Sequence, residues 1–97
     1  MKDINGYEGL YAIDEEGIVF SYKMNDFLVP TWKLPTGGTE KRWIIELYKN
    51  GKITRVPIND LIWETYKDCL DQLTEIARIE ITNYAEEGGL IWTNKKH

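Results

Sequence analysis

Polar and apolar residues alternate in short runs up to about residue 56, and from residue 61 the apolar positions recur at helical spacing. Residues 10–13 and 18–22 are two apolar runs flanking Asp14-Glu15-Glu16-Gly17, which reads as a β-hairpin. Alternation sets Tyr11, Ile13, Ile18 and Phe20 against Leu10, Ala12 and Val19. Met24-Asn25-Asp26 is a turn. Residues 27–34 read as a third strand, which Pro30 confines to an edge or a bulge. A loop follows over residues 35–39.

The second hairpin is the clearest local signal. Residues 42–48 place Trp43, Ile45 and Leu47 on one face and Ile44, Glu46 and Tyr48 on the other. Asn50-Gly51 supplies the positive φ angles of a tight turn, and residues 53–56 return. After Pro57, Asn59 or Asp60 can cap a helix. Leu61, Ile62, Thr65 and Tyr66 fall on one helical face, followed by Cys69, Leu70 and Leu73. The helix is expected from about Asp60 to Asp68, or on through Ile76. Residues 78–83 fit either a short strand or the end of the helical region. Gly88-Gly89 is a turn, residues 90–92 an apolar clip, and residues 94–97 a frayed tail.

These elements define an α+β fold: a small, twisted antiparallel sheet of about four to five strands with one main helix packed across it. The helix stripe Leu61, Ile62, Thr65, Tyr66, Cys69 and Leu73 is expected to meet Trp43, Ile45 and Leu47. At 97 residues the chain is one domain, divided into a β-rich part, 1–56, and a helical part, 57–97. Four Trp and six Tyr supply enough apolar surface for a core without staples.

The charge changes the picture more than the composition does. The net value is −4, but residues 1–22 carry one Lys against five acids and residues 56–97 four cations against eight. Between them, residues 23–55 carry seven cations against three acids. A basic middle between acidic flanks suits sheet edges guarded by lysine or a phosphate-facing surface. Its cations Lys33, Lys41, Arg42, Lys49, Lys52 and Arg55 are the candidate nucleic-acid contacts. Tyr22, Phe27, Trp32, Trp43 and Tyr48 interleave with these, as in surfaces that stack single strands. A domain this small also needs such rings for its core, and that reading is preferred for each.

Other chemistry has little footing. The single histidine is His97, so a His-based triad or zinc site is not expected. The single Cys69 excludes a disulfide framework, reads as a structural thiol and suits a reducing cytoplasm. No apolar run is long enough for a membrane span, and the N-terminus has no signal-peptide core. Asp14-Glu15-Glu16 and Glu86-Glu87 read as solvated turns. No cofactor is expected, and the location expected is the cytoplasm of a bacterial host cell.

Residues 4–21 carry the pattern G-Y-E-G-x-Y-x-I-x-x-x-G-x-V-x-S, which resembles the NUMOD-type module of phage and intron HNH homing endonucleases. Residues 42–66 resemble the hairpin and helix that follow in that family, with Asn59-Asp60 where it has His-Arg. Residues 89–94 echo the stretch that closes its HNH motif. Between them the family carries a run rich in His, Asp and Asn, whose His activates water and whose partners bind metal. Here residues 76–87 read IARIEITNYAEE, with no His and no Asp. The resemblance therefore implies a scaffold without its nuclease, and no enzymatic activity. Two functions fit: a non-catalytic nucleic-acid-binding module, or a small phage-type inhibitor of a bacterial protein such as a defence nuclease. An active metal nuclease is the reading that these residues support least.

Overall fold

The structure is a computed structural model and describes residues 1–92. Strands β1 (Lys2–Asp3), β2 (Tyr11–Ile13), β3 (Val19–Ser21) and β4 (Asp26–Phe27) form one antiparallel meander. Strands β5 (Thr31–Lys33), β6 (Arg42–Lys49) and β7 (Lys52–Pro57) form a second. Helix α1 (Ile58–Tyr66), a 3-10 turn (Leu70–Gln72) and helix α2 (Glu75–Glu86) follow. The α+β class and the antiparallel pairing hold. The strands are split between two sheets, and the helical part forms two helices.

Pro30 explains the split. The strand expected over 27–34 is cut into β4, which pairs with β3, and β5, which pairs with β6. A proline has no N–H to donate to a ladder, so the chain leaves one sheet there and enters the other. Beyond β5 the loop caps the outer edge of the second sheet. Thr36 N–H donates to Arg55 O at 2.9 Å, and Thr36 Oγ1 accepts from Arg55 N–H at 2.9 Å. The free edge of β7 is thereby partly covered.

The first hairpin has a register other than the one alternation suggests. Ile13 stands opposite Val19 and Tyr11 opposite Ser21, so Val19 shares the core face with Ile13, and Phe20 lies behind with Ala12. The cause is the turn. Asp14 Oδ1 accepts the N–H groups of Glu16 and Ile18, each at 2.9 Å, and Gly17 takes φ +87°. The second hairpin forms as read, with Asn50 at φ 53° and Gly51 at φ 75°.

One core joins both sheets and both helices. Ile4, Ile13 and Val19 meet Ile45, Leu47 and Val56, with Leu61, Ile62, Tyr66, Leu73 and Ile81 from the helical part. Each fully buried Ile or Leu contributes on the order of 1.5–3 kcal/mol. The sheets are tied directly where Tyr48 N–H donates to Tyr11 Oη at 3.0 Å, and α1 is tied to β2 where Tyr66 Oη donates to Ile13 O at 2.9 Å. Buried between its neighbours, α1 hides Asp60, Glu64 and Thr65 as well as its apolar residues. Glu64 is paired with Lys67, whose Nζ lies 3.1 Å away.

Three further expectations are corrected. The helix begins at Ile58 with Pro57 at the cap position and no side-chain cap, so Asn59 and Asp60 lie inside its first turn. Cys69 and Leu73 reach the core from the connection after α1, not from the helix. Trp43 is 57% exposed and is no part of the core, whereas Ile44, placed on the opposite face, is fully buried. Residues 78–83 belong to α2, whose first turn is capped by Thr74 Oγ1 accepting from Ala77 N–H at 3.3 Å. Residues 93–97, including the expected tail and the end of the 89–94 stretch, lie outside the described residues.

Candidate nucleic-acid interface

Strand β6 carries candidate cations at both ends. At its start, Arg42 stands opposite Lys33 of β5, with exposed Lys41 just before it. At its end, Lys49 stands opposite Lys52 across the turn. Like charges directly opposite each other on a sheet cost stability. The chain offsets part of that cost itself. Lys49 Nζ donates to Gly6 O at 2.5 Å and lies 5.5 Å from the centroid of the Tyr7 ring. Arg55 pairs with Glu46, Nε to Oε2 at 3.0 Å. The side chains of Lys33, Lys41 and Lys52 are exposed and make no ion pair or hydrogen bond among the described residues. The six candidates therefore divide evenly: three exposed cations open to a partner, and three engaged by the protein.

Arg42 is the most deeply engaged. Its Nη1 donates to Tyr84 Oη at 2.8 Å and to Gly89 O at 2.6 Å. Tyr84 Oη in turn donates to Asp60 Oδ1, and Asp60 Oδ2 accepts the N–H groups of Ile91 and Trp92 at 2.8 and 2.7 Å. Burial pushes the Tyr84 hydroxyl well above the usual tyrosine range, the bond to Asp60 adds to that, and Arg42 opposes it. Gly89 is required here because a Cβ would stand 2.5 Å from the Tyr84 ring. This network clamps β6, α1, α2 and residues 89–92 together. Arg42 serves as its anchor, and sequence reasoning gave no sign of the Asp60–Tyr84 bond across 24 positions.

Two arrangements next to the cations escape the sequence. Trp32 and Trp43 stand directly opposite in the β5–β6 pair, with ring centroids 5.5 Å apart at 64°. Both are more than half exposed. Lys23, from the turn that follows β3, comes beside Tyr48 and Lys49 in a groove at the tip of the second hairpin. Among the described residues, no group of three or more His, Cys, Asp or Glu side chains is placed to hold a metal ion. No helix among them is long and apolar enough to cross a membrane.

No family model matches the chain, and no curated protein matches it. A solved structure, titled "DNA binding and cleavage by the HNH homing endonuclease I-HmuI", is similar over 94% of this chain at 25% identity and a TM-score of 0.51. The fold is thus similar to that of this HNH homing endonuclease. The chain spans 60% of that protein's length.

Proposed function

We propose that this protein is a non-catalytic nucleic-acid-binding module built on a NUMOD/HNH homing-endonuclease scaffold. The observation that carries this reading is the likeness, across nearly the whole chain, to an endonuclease described as binding and cleaving DNA. The exposed Lys33, Lys41 and Lys52 support it. They give the second sheet free cations at both ends although the chain as a whole is acidic. The absence of cutting is supported by the segment that replaces the family's catalytic run. Residues 76–87 hold no His and no Asp, and nearly all of them lie in the regular helix α2. Fluorescence anisotropy with duplex and single-stranded DNA at two salt concentrations tests the binding, and incubation with magnesium tests the rest. Salt-sensitive binding without strand cleavage is the expected result. Metal-dependent cleavage by the pure chain overturns the non-catalytic part, and the lack of any DNA binding overturns the whole.

One observation favours the second reading, a phage-type inhibitor docking on a bacterial host protein. The outer face of α2 combines exposed Ile76 and Ile79 with Glu75, Glu80 and Glu86. An apolar pair ringed by acids suits a basic, DNA-binding surface of another protein.

A further inference from the structure

Beside the start of β6 lies a groove of about 520 Å³, within the range of roughly 300–1,000 Å³ that small planar ligands occupy. Trp32 and Trp43 line it together with Ile58, Asn59 and Tyr84. The chain has 16 acidic side chains, yet among the described residues none lines this groove and Arg42 is its one charged lining residue. Lys41 precedes Trp43 by two positions, which puts this free cation on the indole side of the ladder, whereas Lys33 stands opposite Arg42 at the next register position. Trp32 and Trp43 are 54% and 57% exposed, a large apolar area to leave in water at the surface of a small domain.

We infer that this groove holds an unpaired base of a single-stranded nucleic acid, stacked on an exposed indole face, with a neighbouring phosphate on Lys41. The inference rests on the nucleic-acid reading above and adds the form of ligand. Flat apolar faces bordered by cations match a base attached to phosphates. In a duplex the base faces are covered by their neighbours, so splayed indoles have nothing there to stack on. The indoles pack edge to face, with centroids 5.5 Å apart at 64°, so the base stacks on an outer indole face and not between the two rings. Arg42 is held by Tyr84 and Gly89, and so forms a fixed positive floor.

The test compares a labelled oligothymidylate of about twelve nucleotides, within the span of single-strand sites, with a paired duplex of the same length. The proteins are the wild type, Trp32→Ala/Trp43→Ala and Trp32→Phe/Trp43→Phe. Both indoles lie at the surface, and circular dichroism checks that each variant is folded. The alanine pair is expected to weaken single-strand binding about ten-fold or more and to change duplex binding less than about two-fold. The phenylalanine pair is expected to restore most of the loss. Equal single-strand affinity in the alanine variant overturns the inference, as does an equal loss on both ligands. In either case duplex binding by the wild type leaves the nucleic-acid reading standing. A wild type that binds neither ligand sinks both.

Discussion

Asp60 Oδ2 accepts the backbone N–H of Trp92 at 2.7 Å, linking the first turn of α1 to a residue 32 positions away. The same carboxylate also takes Ile91 N–H and the Tyr84 hydroxyl, while itself fully buried. Replacing it with asparagine puts an amide donor where the carboxylate accepts, leaving at least one buried donor without a partner. Asp60→Asn is expected to cost about 2–4 kcal/mol, which lowers the melting temperature by roughly 10–20 °C in a domain of this size. A thermal melt by circular dichroism checks this. An unchanged melting temperature means that residues 89–92 are held by something else.

The buried tyrosines make stability sensitive to alkali. Burial raises the ionisation of Tyr84 and of Tyr66, each above the ordinary value of 10.0. Because the folded-state values are raised, their contribution is complete below pH 10 and lost as pH climbs through the folded values. The urea midpoint is expected to hold up to about pH 10 and to fall steadily above it. Tyr84→Phe and Tyr66→Phe are each expected to flatten that fall while lowering stability at neutral pH, since each removes a hydroxyl that donates a hydrogen bond. A parallel fall in both variants and wild type rejects the assignment.

Thr65 offers the opposite sign. Its hydroxyl is buried in α1 and has no hydrogen-bond partner among the described residues. Valine has the same shape without the polar atom. Thr65→Val is expected to leave stability unchanged or raise it by about 1 kcal/mol, in contrast to most core substitutions. Chemical denaturation decides it, and a loss above about 1 kcal/mol would show that the hydroxyl is satisfied after all.

Two glycines of similar dihedral separate local strain from packing. Gly17 and Gly51 have φ of +87° and +75°. A Cβ at Gly17 would stand 2.5 Å from Ile58 Cγ2, whereas one at Gly51 would meet nothing within 4 Å. Gly51→Ala is expected to cost about 1 kcal/mol from the backbone alone. Gly17→Ala adds overpacking and is expected to cost about 2–4 kcal/mol. Equal losses in denaturant melts would show that α1 shifts freely away from the turn.

The candidate cations should likewise divide by what they already hold. Substituting the exposed Lys33, Lys41 and Lys52 with alanine is expected to reduce the salt slope of DNA binding by about 0.9 for each phosphate left without its cation, with melting unchanged. Arg42→Ala is expected to lower the melting temperature instead, because it removes the anchor of Tyr84 and Gly89. A salt slope left intact by the triple lysine variant moves the binding surface elsewhere.

Local chemistry was legible wherever one residue decides it. Asn50-Gly51 set the second hairpin and its pairing, and Pro30 marked a break. The partner that each fragment beside Pro30 would find was not legible, because pairing is decided by the core and not by the strand. The first register was missed because the Asp14 side chain, not apolar alternation, fixes the turn. Helix α2 was obscured by Ile79 and Ile81, which mimic a strand. Its real inner face, Ala77, Ile81 and Tyr84, shows only once the exposed Ile76 and Ile79 are disregarded. Trp43 was assigned inward by alternation with Ile45, but near the start of its strand it lines an open groove beside both helices and stays more than half exposed. Of the candidate site, the basic middle was visible as charge. Which cations are free depends on contacts across the fold, such as Lys49 with Gly6, that no spacing reveals.

The Thr74 hydroxyl stands between two distant parts of the chain. It donates to Glu15 Oε2 in the first turn at 2.5 Å and accepts from Ala77 N–H at the start of the last helix. A single oxygen thus ties the β2–β3 turn to the last helix. Opening of the front hairpin would take away the acceptor that holds the helix-capping hydroxyl in place, so damage to that turn is expected to reach the first turn of α2.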